Sequence, residues 1–354
     1  MATLEQERIA LAMKFIEHAG FTFSDEMLKN YYVCLKTKPF LILAGMSGIG
    51  KTQITRLFAK AIGAHYLLIP VSSSWTSDRD LLGFYDPDTK QYQETALVTY
   101  LKAAILSYRK GADALFFLCL DEMNLARVEH YFAKFLSAME GTFVEDRKII
   151  LDGTREVLVW PPNLFFIGTV NMDETTHSFS DKVLDRANSI EFTMTIDDLY
   201  AESIKKALPQ AVNFTYPEFT RFRKDLTDPD IREVSLRWRG EIGNIWRMLE
   251  TMNFQFGYRI RDEIELYILN AKDLLDEDTA FDLCIKQKIL PKIYGGGDSL
   301  KMLLMKLQDY FTDKKYRYSM KKIEDMKRRL VRDDFTAYYP GQLPPRSMRP
   351  RSFE

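Results

Sequence analysis

The sequence predicts an α/β fold, a parallel sheet sandwiched by helices, followed by a smaller all-helical domain. Three observations predict it. Unbroken apolar runs recur at Phe40–Ala44, Leu115–Leu120 and Leu164–Val170, as in strands covered on both faces. Helix-compatible stretches alternate with them, the pattern of parallel strands joined by crossover helices. After Thr195 the apolar period becomes helical and strand signals are few.

Taken in order, residues 1–38 read as helices leading into the first strand, starting with a charged, amphipathic one from Leu4 to Ala19. Residues 39–195 hold strands at Phe40–Ala44, Tyr66–Val71, Leu115–Leu120, Leu164–Val170 and Ser189–Phe192. Helices fall between them at Thr52–Ile62, Ala96–Tyr108 and Tyr131–Met139. The stretch Arg147–Trp160 alternates on both sides of Asp152-Gly153, a hairpin signal. Residues 196–331 read as helices at Leu199–Leu208, Ile242–Met252, Arg261–Leu275 and Phe281–Leu290, then a glycine loop and a helix from Ser299. Residues 332–354 are Pro-rich and are expected to be irregular.

Composition narrows the function classes. With 354 residues and 46% hydrophobic content, two globular cores are affordable. Lys and Arg number 49 against 50 Asp and Glu, so no global field advertises nucleic acid or membrane. No apolar run approaches the ~20 residues of a membrane span, and the charged N-terminal helix is no signal peptide. Cys34, Cys119 and Cys284 lack paired spacing, which fits a reducing, cytoplasmic setting. The four histidines have no metal-ligand spacing. Neither a nuclease constellation nor a nucleophile triad is visible.

The chemistry that is visible is phosphoryl transfer to water. The first strand runs into Gly45-Met46-Ser47-Gly48-Ile49-Gly50-Lys51-Thr52. Gly45, Gly48 and Gly50 let backbone wrap phosphate oxygens, Lys51 can sit between β- and γ-phosphates, and the Thr52 hydroxyl can ligate Mg²⁺. The following helix directs its N-terminal N–H groups at the same anion. A second apolar strand ends in Asp121-Glu122. Asp121 is expected to hold Mg²⁺ through a water, and Glu122 to polarise the attacking water. A third ends in Asn171, which either positions that water or caps a turn. Arg186, after a short helical segment, either pairs locally with Asp185 or Asp181 or reaches a neighbouring subunit's nucleotide.

In this order and spacing the chain resembles an AAA+ P-loop NTPase: Walker A at Gly45–Thr52, Walker B at Leu115–Glu122, sensor 1 at Asn171 and an arginine finger at Arg186. Finer features resemble the McrB and dynein-related, MoxR-like branch. They are the insertion Trp75–Pro87, the continuation Asp121–Glu129, Pro161-Pro162-Asn163, Gly168–His177, and the hairpin before sensor 1. The resemblance implies a homo-hexameric ring, an α-helical lid domain after the AAA+ core, and a second arginine at the phosphates. Candidates for that arginine are Arg237, Arg239, Arg259 and Arg261; Arg259 best matches the family's sensor 2 segment, against a surface pairing with Asp262 or Glu263. Asn171-Met172-Asp173-Glu174 departs from the Asn-Thr-Ala-Asp of the McrB GTPase, so ATP is expected before GTP.

For the work done, the resemblance leaves several readings open. One is the motor of a McrBC-like, modification-dependent restriction or phage-defence complex, with a separate McrC-like nuclease chain and DNA reached through the complex. Another is a MoxR-like protein-remodelling chaperone, and a third is a regulatory scaffold with slow turnover. The basic stretch Lys314–Arg329 either tracks a phosphate backbone or is a solvated helix face. The insertion around Arg79 and Phe84 either meets a substrate in the ring's channel or is a surface hairpin.

Overall fold

The computed structural model describes residues 2–111, 114–141, 143–172, 177–193, 200 and 206–338. The chain divides into two compact units. The first comprises Met1–Leu28, Lys38–Asn171 and Thr175–Phe222; the second comprises Lys29–Thr37, Met172–Glu174 and Arg223–Glu354.

The strands of the first unit are β1 (Phe40–Gly45), β2 (His65–Pro70), β3 (Gly83–Asp86), β4 (Gln91–Glu94), β5 (Phe116–Asp121), β6 (Lys148–Ile150), β7 (Val157–Val159), β8 (Leu164–Asn171) and β9 (Asn188–Glu191). Five form one sheet in the order β2-β5-β8-β1-β9, with every neighbouring pair parallel. This is the α/β architecture the apolar runs predicted. β1 is buried along its whole length, and only the last residue of β5 and of β8 is less than buried. β2 lies at the edge and is half-exposed, which explains its mixed composition. The helices Lys51–Ala61 and Ala96–Arg109 match their expected spans to within a residue.

One aromatic cluster anchors the helix Ala133–Ala138 to the sheet. Phe132, Phe135, Trp160 and Phe166 pack with ring centroids 4.8–5.3 Å apart for the Phe166 contacts. Trp160 is fully buried and its indole N–H donates to Leu164 O at 2.9 Å. The expected helix Tyr131–Met139 is broken in two at Phe132, whose ring turns into this cluster. The helix expected at Leu199–Leu208 falls mostly outside the described residues; Lys206–Leu208 are not helical.

Two antiparallel hairpins, β3–β4 and β6–β7, are separate from the sheet. The Asp152-Gly153 hairpin forms, but its loop spans 151–156 rather than a two-residue turn. Lys134 ties the two hairpin regions together by ion pairs of 2.7 Å to both Asp78 and Asp152. Lys102 does the same between Glu94 and Glu156. Pairs this exposed contribute at most about 1 kcal/mol each, so they set orientation more than stability. An added Cβ at Gly153 would lie 2.5 Å from Tyr85 Cβ, so the second hairpin's loop rests against the first.

The second unit is helical: Ile231–Glu250, Tyr258–Ala271, Glu277–Lys288, Gly297–Asp313 and Arg317–Asp333. The first of these begins eleven residues before the expected Ile242, because Trp238, flanked by arginines in the sequence, is buried by stacking on Phe281 at 4.2 Å. The segment Lys29–Thr37 inserts Asn30 into this unit, where its carboxamide oxygen accepts from Tyr267 Oη and Gln287 Nε2. Thr336–Ala337, inside the segment expected to be irregular, pairs antiparallel with Tyr294–Gly295. Among the described residues no helix is long and apolar enough to cross a membrane.

Candidate nucleotide-binding site

Parallel strands present their carboxyl ends on one edge, and the crevice there is where ligands of such sheets bind. β1, β5 and β8 are adjacent, so the residues ending them meet. After β1 the chain takes left-handed conformations at Gly48 (φ 82°) and Gly50 (φ 91°) before entering the helix Lys51–Ala61. L-residues with a Cβ rarely adopt that conformation, so the glycines shape the loop. At Gly45 the demand is space: an added Cβ would stand 2.5 Å from Ile49 Cδ1 and 2.8 Å from Phe192 O.

The buried Lys51 ammonium is satisfied from three sides. It donates to Gly45 O at 2.9 Å, Met46 O at 2.6 Å and Asn171 Oδ1 at 3.0 Å. The other end of the same carboxamide, Nδ2, donates to Glu122 Oε1 at 2.8 Å. Lys51, Asn171 and Glu122 thus form one continuous hydrogen-bonded chain across the sheet edge. Beside it, the Thr52 hydroxyl donates to Asp121 Oδ1 at 2.6 Å. A carboxylate and a hydroxyl side by side are hard oxygen donors, which suits Mg²⁺, an ion that keeps several waters and takes few protein ligands. Thr52 and Asp121 are the residues that would hold it.

Glu122 has a left-handed backbone, φ 53°, which costs on the order of 1 kcal/mol or more for a residue with a side chain. Its N–H donates to Thr169 Oγ1 at 2.9 Å, and its carboxylate accepts from Asn171. Two such hydrogen bonds, at about 1 kcal/mol each, offset the cost. Cys119, three positions earlier, is fully buried, and burial pushes its thiol up to about 12, so it remains a neutral core group.

Lys51, Thr52, Asp121, Glu122 and Asn171 are therefore brought together. Met46, Ser47 and Gly48 are exposed on the loop, and Ile49 is half-buried. Arg186 makes its bonds elsewhere. Its guanidinium donates to Leu136 O at 2.7 Å and Lys182 O at 2.8 Å, and pairs with Glu140. In the second unit, Arg237 pairs with Glu277 and Arg261 with Asp262. Arg239 and Arg259 are exposed and make no hydrogen bond or ion pair among the described residues. Asp173 and Glu174 lie outside the described residues.

Two further features have no signature in the sequence. Thr169 bridges Asp121 and Glu122. Phe21 and Phe23, stacked 6.4 Å apart, line a hollow of about 530 Å³ with Met13, His18 and Asp25, in the same unit as the glycine loop. An added Cβ at Gly50 would lie 3.4 Å from the Phe23 ring, so the hollow adjoins the phosphate loop. Two aromatics spaced two apart before a polar helix start carry no recognisable signal.

Residues 40–188 match the AAA domain family, dynein-related subfamily. This stretch is an AAA+ P-loop NTPase domain. Residues 212–335 match a domain of unknown function, DUF8727. The chain also aligns with the crystal structure of a candidate ATPase from Cytophaga hutchinsonii, at 14% identity and a TM-score of 0.49, covering 81% of this chain and 89% of that one.

Proposed function

We propose that this AAA+ protein hydrolyses ATP in preference to GTP with Mg²⁺, and that turnover in a homo-hexameric ring drives work on a partner complex. The observation that carries the reading is the hydrogen-bonded chain from Lys51 through Asn171 to Glu122 beside the Thr52–Asp121 pair. A triphosphate arriving at the loop offers Lys51 stronger acceptors than the Gly45 and Met46 carbonyls that hold it now. Bound Mg²⁺ would neutralise charge on the phosphates. Glu122, released from or steered by Asn171, orients and deprotonates the water, and Asn171 stays within reach of both. The hollow beside Phe23 has room for the base and ribose. Arg186 acts on a neighbour's nucleotide once it leaves Glu140, and Arg259, free of partners among the described residues, serves as sensor 2.

For the partner, we infer a motor subunit in a McrBC-like restriction or phage-defence complex of the cytoplasm, in which a separate nuclease chain cuts and DNA is reached through the complex. A protein-remodelling role is the second reading, and one observation favours it. Of the basic stretch, Lys322 and Arg329 are turned inward and Asp325 pairs with Lys322, Arg328 and Arg329, whereas Phe84 on the β3–β4 hairpin is half exposed. A nucleotide panel on the purified chain tests the core of the proposal. ATP turnover that requires Mg²⁺ and exceeds GTP turnover is expected; absence of turnover with every triphosphate, alone and with neighbouring gene products, would refute it. Stimulation by DNA in the assembled complex selects the restriction reading, and indifference to DNA of every modification state selects remodelling.

A further inference from the structure

β5 and β8 run in register up to Leu120 opposite Gly168 and then part. Beyond that point side chains replace the backbone ladder: Asn124 Nδ2 donates to Asn171 O at 2.9 Å, Asn171 Nδ2 to Glu122 Oε1 at 2.8 Å, and Thr169 joins both acidic residues. Thr169, 1% exposed on β8, donates its hydroxyl to Asp121 Oδ1 at 2.6 Å and accepts the Glu122 N–H at 2.9 Å. The turn is also held from beneath, since an added Cβ at Gly168 would lie 2.4 Å from Met123 Sδ. Thr52 and Thr169 both donate to the same carboxylate oxygen, which fixes the rotation of the Asp121 carboxylate as well as its place. One hydroxyl therefore orients the residue that would hold the metal and anchors the left-handed turn that aims the residue that would activate water.

We propose that Thr169 is a positioning residue for hydrolysis, coupling the setting of Asp121 to that of Glu122. The proposal rests on the hydrolase reading above. It touches neither phosphate nor water in this role; it acts through the two acidic residues. Groups that orient metal ligands in this way typically change metal affinity or activity by about 10- to 100-fold when removed.

The test compares wild type with Thr169→Val, which keeps the shape and loses the hydroxyl, and with Thr169→Ser, which keeps the hydroxyl and loses the methyl. Binding of a fluorescent ATP analogue is measured in EDTA and in Mg²⁺, alongside kcat, KM and the thermal midpoint. The valine variant should bind as wild type does in EDTA, lose most of the Mg²⁺-dependent gain in affinity with a matching rise in KM, and fall in kcat by about 10- to 100-fold. The serine variant should recover both. If the valine does not fold, Thr169→Ala replaces it in the same comparison with serine. A hydroxyl-free variant with the wild-type Mg²⁺ response and turnover overturns the proposal, as does a serine variant as defective as the valine, since packing of the methyl would then explain the loss. A wild-type chain that binds no nucleotide overturns the hydrolase reading itself, and this proposal with it.

Discussion

At the residue scale the decisive group is Lys51. A buried ammonium is costly unless fully hydrogen-bonded, and here two loop carbonyls and Asn171 supply the acceptors. Removing the amine leaves those acceptors facing one another and takes the only mobile cation out of the phosphate loop. Lys51→Ala should therefore abolish nucleotide binding, measured by titration calorimetry, while the fold is retained. Binding within about threefold of wild type, a difference of less than 1 kcal/mol, would show that the loop does not hold the phosphates. Lys51, Thr52, Asp121, Glu122 and Asn171 were legible from the sequence because each ends an apolar strand or a glycine loop, and a parallel sheet brings such ends together. Thr169 was not, since a threonine within an apolar strand reads as an ordinary β-former until its partner across the sheet is known. Arg186 shows the opposite limit: its position after Asn171 was readable, but its bonds to Leu136 and Glu140 depend on the fold of a helix fifty residues earlier.

At the scale of elements, space is as informative as hydrogen bonding. Gly83 sits at φ 101°, and an added Cβ would meet Gln93 O at 2.0 Å across the β3–β4 hairpin. Backbone on the opposite strand cannot yield as a side chain can. Gly83→Ala should therefore unseat this hairpin while leaving the sheet intact, detected as new protease cleavage between residues 83 and 94 with nucleotide affinity unchanged. An unaltered digestion pattern would mean that the pairing of Gly83 with Glu94 does not hold the hairpin. The core strands were readable because burial on both faces leaves a continuous apolar run. The start of the helix Ile231–Glu250 was not, because the burial of Trp238 depends on Phe281, far away in sequence. The loop 151–156 exceeded its expected two residues for a related reason: its course follows Tyr85 and Lys134, which belong to other elements.

At the scale of the whole molecule, the proposed finger role of Arg186 requires that chains complete one another's sites. In the single chain Arg186 is folded back onto Glu140, so a finger role needs a neighbour to compete for it. Arg186→Ala should depress turnover on the order of 10³-fold for a finger contributing fully, and mixing it with Glu122→Gln chains should restore part of the activity by forming one intact interface. No recovery in any mixture, with normal assembly, would place the action of Arg186 within its own subunit. The most direct measurement of the central claim is ATP turnover by Glu122→Gln set beside its affinity for ATP with Mg²⁺. The amide keeps the hydrogen-bonding reach to Asn171 but cannot take a proton from water, so binding should persist at the wild-type level while hydrolysis is lost. Near-normal turnover by Glu122→Gln would contradict the account, because the residue at the end of the Lys51–Asn171–Glu122 chain would then not be the one that activates water.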